Sequence, residues 1–404
     1  MASNRSRLVL TALIALAGAS AHAADLKVGA LYPFSGGLAL LGDESFRGLE
    51  IAVEEANAAG GLKKGKIVLV KGDAVDANQA VGEARRLTSV EGVKVVFGTY
   101  SSSLSLAATQ VTELAKVPYF ELGAISDPIT DRGFKYVFRT NPTAKGFAQK
   151  MVDEIVDVIA PALKMDAKAM KVAIIHEDSL YGQTVSGYQK TRGAERGLKI
   201  VEVLPYPASS VDLSSVILRL KGSAVDVVLH TAYQNDSVLF FRQAKEMGFK
   251  PKAVIGAGGG YSMMDTAKAA GFDNIEGALD VDFPQYYTNP AAAPGIDEFV
   301  KKYQAKYGTP PRSGHSLANY AGAKVFFQAL DNAKSVSADD VRAAVLALDI
   351  APGKTATGWG AKFAESGQNI RAQPILMQWQ GGKLVTVSPK EAAVAKLKVG
   401  LGSN

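Results

Sequence analysis

Three consecutive serines, Ser101, Ser102 and Ser103, lie where a predicted strand passes into a predicted helix. Serine hydroxyls and the free N–H groups of a helix N-terminus both donate hydrogen bonds to an anion, and the helix dipole adds positive potential there. Capping of the helix accounts for one serine and leaves the other two unexplained. The pattern therefore favours a site for a carboxylate or a phosphate, with plain helix capping as the alternative.

The next predicted strand ends in a loop of small residues, Gly123 to Ser126, in which Ile125 is the largest. Such a loop lets a ligand approach the backbone closely. Two aromatic residues, Tyr181 and Tyr233, occupy comparable strand-to-helix turns later in the chain. Tyrosine rings at these edges can cover the apolar part of a ligand, although ordinary packing would also place them there.

The sequence lacks the motifs of catalysis, metal binding and cofactor binding. The glycine-rich segment 256–260 does not complete the dinucleotide pattern G-x-G-x-x-G, because Tyr261 stands where the last glycine would be. His176, His230 and His315 lack the spacing of metal ligands, and the chain contains no cysteine. We therefore predict no catalytic residue, no metal, no cofactor and no enzymatic activity.

Short apolar runs alternate with longer amphipathic segments from Leu26 to about Leu279, which predicts parallel strands separated by helices. A helix before the second strand is indicated by Phe46, Leu49 and Val53, which repeat at helical spacing. The apolar runs form two series, 26–31, 66–70, 93–97 and 117–122, then 171–175, 199–204, 225–229 and 253–255. Two series predict an α/β protein with two doubly wound lobes, each a parallel sheet covered by helices on both faces.

The first 23 residues have the features of a secretory signal peptide. Arg5 and Arg7 precede an apolar run from Leu8 to Ala19, and small residues surround a predicted cleavage after Ala23. The absence of cysteine excludes a lipid-modified cysteine after the signal, so we expect a soluble periplasmic protein. The formal net charge of +6 comes from scattered lysines and arginines, which does not indicate nucleic-acid binding.

The chain resembles the branched-chain amino-acid-binding proteins of ABC importers, which have the type I periplasmic-binding-protein fold. The resemblance rests on the motifs at 29–36 and 55–61, on Asp73 after the second strand, and on Ser102 after the third. It extends from about Asp25 to at least Trp379. It implies a monomer that closes around a small carboxylate ligand and delivers it to a membrane permease.

The resemblance also implies how the two lobes divide the chain and which residues hold the ligand. Residues 24–140 and 283–370 would form lobe 1, residues 141–282 and 371–404 would form lobe 2, and three crossovers would join them. By analogy, Ser102 and the backbone of Gly123 and Ile125 hold the ligand carboxylate and any amino group. Tyr181 and Tyr233 cover the ligand from lobe 2.

Three departures from the family pattern leave the ligand open. Gly258 stands where amino-acid binders have an acidic residue for the ligand ammonium, and Ile125 stands at a hydroxyl position unless the register shifts to Ser126. Leu41 stands where the family has an aromatic residue before Gly42. A buried ammonium without a partner is unfavourable by several kcal/mol. Acidic residues that could replace the missing one are Glu121, Asp236, Asp280 and Asp282.

The alternative ligand is an aromatic or aliphatic acid without an amine, for which Tyr100, Tyr261 and Phe283 would suit an aromatic ring. Two other functions remain open at this point. One is a sensory protein that presents its ligand to a receptor, and the other is a secreted two-lobed enzyme.

Overall fold

The structure, a computed structural model, describes residues 25–400. The predicted signal peptide, residues 1–23, lies outside the described residues. Two large sheets flanked by helices make up the described chain, in agreement with the predicted α/β architecture. Across residues 25–400, no helix is both long enough and apolar enough to cross a membrane.

The first sheet contains five parallel strands in the spatial order β2-β1-β3-β4-β5. The strands are β1 Leu26–Tyr32, β2 Ile67–Asp73, β3 Val95–Gly98, β4 Tyr119–Glu121 and β5 Val137–Arg139. Strands β3, β4 and β5 are buried along their whole length, as expected for strands covered by helices on both faces. The carboxyl ends of β3 and β4, which carry the serine and glycine loops, therefore lie side by side.

The second sheet contains seven strands in the order β14-β13-β10-β9-β8-β6-β7. In chain order its strands are β6 Lys171–Glu177, β7 Lys199–Tyr206, β8 Val227–Thr231, β9 Ala253–Gly256, β10 Leu279–Asp282, β13 Ile375–Gln380 and β14 Lys383–Ser388. The two remaining strands, β11 Asp349–Ile350 and β12 Ala361–Lys362, form a separate antiparallel pair. Strands β6 to β10 are parallel, but β13 and β14 run antiparallel at one edge. This sheet is therefore mixed, whereas the sequence predicted an all-parallel one.

Helices cover both sheets. They are α1 Ala39–Ala58, α2 Ala77–Arg85, α3 Ser102–Leu114, α4 Pro128–Asp131, α5 Ala144–Glu154, α6 Ala160–Ala162, α7 Leu180–Glu195, α8 Ser214–Gly222, α9 Gln234–Glu246, α10 Met264–Ala270, α11 Phe272–Ile275, α12 Ile296–Tyr307, α13 Gly314–Asn332 and α14 Ala338–Leu346. The predicted core face of α1 is confirmed, because Phe46, Leu49 and Val53 are all buried.

The chain crosses between the two sheets three times. It leaves the first sheet after β5 and enters the second lobe through α5, then returns after β10 to helices that pack on the first sheet. It crosses again beyond Asn369 to form β13. Arg139 and Gln368 lie side by side in a short parallel bridge, so the first and third crossovers are adjacent.

Helices α1 and α13 approach most closely at Gly48. A Cβ atom on Gly48 would lie 1.9 Å from the carbonyl oxygen of Ser316, which is far inside van der Waals contact. We predict that Gly48→Ala lowers the free energy of unfolding by about 1–3 kcal/mol because the helices must separate. Urea unfolding followed by circular dichroism measures the change.

Gly187→Ala in helix α7 is the matched control, since nothing lies within 4 Å of its Cβ position. Helix propensity alone makes this variant neutral or more stable by up to about 1 kcal/mol. Equal effects of the two substitutions would contradict the close approach of α1 and α13.

Candidate functional site

A cavity lies where the carboxyl ends of the strands of the two sheets face each other. It contains about 290 Å³ that protein atoms do not occupy, part of which is open to solvent. Little free space therefore remains between the two lobes at this point. Six residues proposed from the sequence line it, namely Tyr100, Ser102, Gly123, Ile125, Tyr181 and Tyr233.

The three serines point to three different partners. Ser102 lines the cavity, and its Oγ accepts a hydrogen bond of 3.3 Å from the backbone N–H of Ser126. Ser101 precedes α3, yet its side chain does not cap the helix, and its Oγ accepts from the Tyr233 hydroxyl at 3.5 Å. Ser103 Oγ accepts from the backbone N–H of Leu180 at 3.4 Å. Helix capping by these side chains, the alternative drawn from the sequence, is not what the structure shows.

Two of these contacts join the lobes. Tyr233 and Leu180 follow strands of the second sheet, whereas the serines follow β3 of the first sheet. Ser126 makes a third such contact, because its hydroxyl donates to the carbonyl of Leu180 at 3.2 Å. All three hydrogen bonds are at the long end of the normal range, so each contributes little.

The carboxylate of Glu121 shapes the loop that follows β4. Its Oε1 accepts from three successive backbone N–H groups, those of Leu122, Gly123 and Ala124, at 3.1, 2.8 and 2.7 Å. Its Oε2 accepts from the N–H of Thr99 at 3.1 Å, in the loop before the serines. One fully buried side chain thus fixes both loops on the first-lobe side of the cavity.

Arg139 holds the same loop through its carbonyl groups. Its guanidinium donates to the carbonyls of Ala124 at 3.3 Å and Ser126 at 2.7 Å, and to Gln368 Oε1 at 2.6 Å. Burial lowers the pKa of Arg139, while nearby carboxylates, among them that of Glu121, act in the opposite direction. Burial raises the pKa of Glu121, opposed by its hydrogen bonds and by the charge of Arg139.

An aromatic surface closes the cavity from the second lobe. The rings of Tyr181 and Tyr233 lie 5.1 Å apart, and Tyr233 lies 6.3 Å from Tyr100 of the first lobe. The Tyr181 hydroxyl donates to the carbonyl of Ala257 at 2.5 Å, which fixes its ring. Burial raises the pKa of Tyr233, so its hydroxyl stays protonated and able to donate.

Six further residues line the cavity: Phe147, Ala257, Gly259, Asp282, Phe283 and His315. The sequence indicates Asp282, Phe283 and the glycine-rich segment 256–260, so Phe147 and His315 are the two that it does not single out. Phe147 comes from α5 and His315 from the start of α13, far from any strand end. The Phe283 ring packs edge to face on both, at 5.8 Å from Phe147 and 5.3 Å from His315. Only the packing of distant helices brings these rings together, so no local motif signals them.

Tyr261 lies away from the cavity, in the second-lobe core. Its hydroxyl pairs with His230 Nδ1 at 2.7 Å, and its ring occupies the space beside Gly256, where a Cβ atom would lie 2.2 Å from it. His230 also pairs with the Tyr206 hydroxyl at 2.8 Å, and burial lowers its pKa to about 3, so it is neutral. The interpretation of His230 as a structural histidine agrees with these contacts.

Gly258 is next to the cavity but does not line it. Its backbone N–H donates to Asp280 Oδ1 at 2.8 Å, and its φ of +78° suits glycine. Of the four acidic residues considered from the sequence, Glu121 and Asp280 accept backbone hydrogen bonds, and Asp236 accepts from the Tyr206 hydroxyl at 2.6 Å. Asp282 alone among the four lines the cavity. Within residues 25–400, no cluster of His, Cys, Asp or Glu has the arrangement of a metal site.

Residues 25–383 match the model of a family described as periplasmic binding protein. A relative named Leu/Ile/Val-binding protein homolog 8, from Brucella abortus (strain 2308), is 55% identical over 397 residues, covering 97% of this chain and 98% of the relative. The chain belongs to the periplasmic binding protein family. The resemblance seen in the sequence is thereby confirmed.

Solved structures of this family share the fold. The branched-chain amino acid transporter substrate binding protein LivJ from Streptococcus pneumoniae, in complex with isoleucine, superposes with a TM-score of 0.78 at 21% identity, covering 90% of this chain and all (100%) of LivJ. A solute binding protein from R. palustris in complex with benzoate gives 0.77 at 20% identity, covering 92% and 98%. The type I periplasmic-binding-protein fold is confirmed.

Removing the Arg139 guanidinium should destabilise the protein strongly. We predict that Arg139→Gln lowers the free energy of unfolding by about 3–5 kcal/mol, because the carbonyls of Ala124 and Ser126 and the Gln368 side chain lose a buried donor, and the nearby carboxylates of Asp127 and Glu121 lose a positive charge. Arg219→Gln is the control, since Arg219 pairs with Glu202 while its own side chain is 67% exposed. That variant should stay within about 1 kcal/mol of the native protein in urea unfolding. Similar losses in both would contradict the role given to Arg139.

Proposed function

We propose that this protein is the periplasmic solute-binding component of an ABC importer. After signal-peptide cleavage near Ala23, it acts as a soluble monomer that captures a small carboxylate and delivers it to a membrane permease. The ligand is an amino acid or a related organic acid. The protein binds and releases this ligand without converting it. Support comes from the family, from the name of the Brucella abortus relative, and from the isoleucine and benzoate held by the two solved structures.

The observation that carries the proposal is the position of Ser102. Its side chain lines the cavity at the first turn of α3, a helix of 13 residues whose N-terminal N–H groups have no partner within the helix. The adjoining loop brings Gly123 and Ile125 to the same cavity. The N–H of Gly123 is already bound by Glu121, so the donors that suit a ligand carboxylate here are the Ser102 hydroxyl and the N–H groups of the first turn of α3.

The second part of the proposal is closure between two lobes. Lobe 1 comprises residues 24–140 and 283–370, and lobe 2 comprises residues 141–282 and 371–404. The hydrogen bonds that Ser101, Ser103 and Ser126 make between the lobes are long, at 3.2 to 3.5 Å, so these three hold the closed form weakly. Shorter backbone hydrogen bonds also join the lobes, from Ala144 N–H to the Ile125 carbonyl at 2.7 Å and from Met264 N–H to the Arg312 carbonyl at 3.0 Å. A ligand that touches both lobes adds the free energy that favours closure, and the permease reads the closed form.

The carboxylate site is tested with Ser102→Ala. Loss of a hydrogen bond to a charged ligand costs about 1.5–3 kcal/mol, so we expect the dissociation constant to rise about 10- to 100-fold. Isothermal titration measures it on ligand-free protein, with the best ligand of a thermal-shift screen of amino acids, aromatic acids and aliphatic acids.

Thr112→Val is the matched control, because it deletes a buried hydroxyl of the same helix whose partner is the carbonyl of Thr109. It should leave the affinity unchanged. An unchanged affinity in Ser102→Ala would refute the assignment of the carboxylate site, and chemical conversion of the ligand would refute the proposal of a binding protein.

The transport role is tested in cells. Deletion of the gene should abolish uptake of the radiolabelled ligand, and expression of the native protein should restore it. Loss of chemotaxis towards the ligand with normal uptake would instead favour a sensory role.

A further inference from the structure

We propose that Asp282 binds an ammonium group of the ligand, so that the ligand carries both a carboxylate and an amine. This inference rests on the proposed function and narrows its ligand class. It assigns the acidic group of the site to a strand residue, whereas the resemblance to the family places that group in the loop at Gly258.

The first argument is that Asp282 is buried without a well-formed hydrogen bond. Its side chain is 1% exposed and lines the cavity, and neither carboxylate oxygen accepts a hydrogen bond of normal geometry from any residue in 25–400, although the Phe283 N–H, the Ser262 hydroxyl and His315 Nε2, at 3.5 Å, lie around it. The Ser262 hydroxyl, which lies nearby, donates to the carbonyl of Gly259 at 3.3 Å. A buried carboxylate without a donor is strongly unfavourable. A cationic ligand group in the cavity would supply the missing donor.

The second argument is steric and concerns Gly258. A Cβ atom at Gly258 would lie 2.8 Å from Asp282 Oδ1 and 2.9 Å from its Cγ. The carboxylate from strand β10 therefore occupies the space in which a side chain at position 258 would begin. The absence of an acidic residue at position 258 consequently does not mean that the site lacks one.

The third argument excludes an internal cation as the partner of Asp282. The nearest candidate is His315, whose Nε2 lies 3.5 Å from Asp282 Oδ2 and whose Nδ1 pairs with the Ser313 hydroxyl at 2.8 Å. Burial lowers the pKa of His315, and the charge of Asp282 offsets this in part. The other titratable groups that interact with Asp282 are Asp280 and the hydroxyls of Tyr100, Tyr181 and Tyr286, and none of these is a cation.

Binding of an ammonium by Asp282 should depend on pH. Asp280 and Asp282 lie two residues apart on β10 and are both buried, so burial and mutual repulsion raise the pKa of Asp280 well above its usual range. Burial also raises the pKa of Asp282. An ammonium binds the ionised form of Asp282, so affinity should fall as the pH decreases through that raised pKa.

The ligand class is tested with pairs of compounds that differ only in the amine. Ligand-free native protein is titrated with α- and ω-amino acids and with the deaminated acid of the same carbon skeleton, such as leucine against 4-methylpentanoate. We expect the amine-bearing member of the best pair to bind at least about 30-fold more tightly. If the deaminated acids bind as tightly, the inference is wrong and the proposed function stands. If no acid of either kind binds, both are wrong.

Asp282→Asn tests the residue. It should weaken binding of the best amine-bearing ligand at least about 30-fold, leave deaminated acids unaffected, and remove the pH dependence. Its ligand-free form should melt at a higher temperature than the native protein near neutral pH, because an unfavourable buried charge is gone. A preference for the amine that survives in Asp282→Asn would refute the inference.

Asp280→Asn is the companion variant. Its amide oxygen can still accept from the N–H of Gly258, and position 280 does not line the cavity. It should keep the preference for the amine and leave the pH dependence close to that of the native protein, because Asp280, whose pKa is raised well above its usual range by burial and by the charge of Asp282, already carries its proton while Asp282 titrates. A loss of the preference equal to that of Asp282→Asn would show a general disturbance of β10 and would contradict the specific role of Asp282.

Discussion

The opposed charges of Glu121 and Arg139 are the constraint on which the first-lobe half of the cavity depends. The two residues are neighbours on β4 and β5, and both are fully buried. One accepts from the amides of the loop after β4, and the other donates to the carbonyls of that loop. Hydrogen bonds to both its N–H groups and its carbonyl groups therefore fix the loop that brings Gly123 and Ile125 to the cavity. These bonds hold the loop in place although it has no regular secondary structure.

The same pair links the site to the crossovers. Arg139 ends β5, where the chain leaves the first sheet, and also contacts Gln368 of the third crossover. Gln368 in turn donates to the carbonyl of Asn141 at 2.9 Å. The binding loop and the crossover strands thus share one buried cluster of hydrogen bonds, whereas the hydrogen bonds that Ser101, Ser103 and Ser126 make across the cavity are long. A well-held binding loop and weak side-chain contacts across the cavity are compatible with closure between two lobes.

The alternation of apolar runs and helical repeats was enough to predict two α/β lobes. Parallel strands that are buried on both faces appear in a sequence as short, nearly continuous apolar runs. The alternation did not reveal the antiparallel β13 and β14, which lie beyond the alternating region. In the site, loops at strand ends could be predicted from local pattern. His315 and Phe147 could not, since helix packing over long sequence separation places them. Tyr261 turned inward because Gly256 leaves room for its ring.

The shared space of Gly258 and Asp282 has a consequence for how ligands are inferred from sequences of this family. A Cβ atom at position 258 would lie 2.8 Å from Asp282 Oδ1, so a side chain there would force the Asp282 carboxylate to move, and the φ of +78° disfavours any residue but glycine. The two positions therefore have to be compared together. A sequence comparison that inspects position 258 alone would count this protein among those without an acidic residue at the site, although the carboxylate of Asp282 lies in the same space.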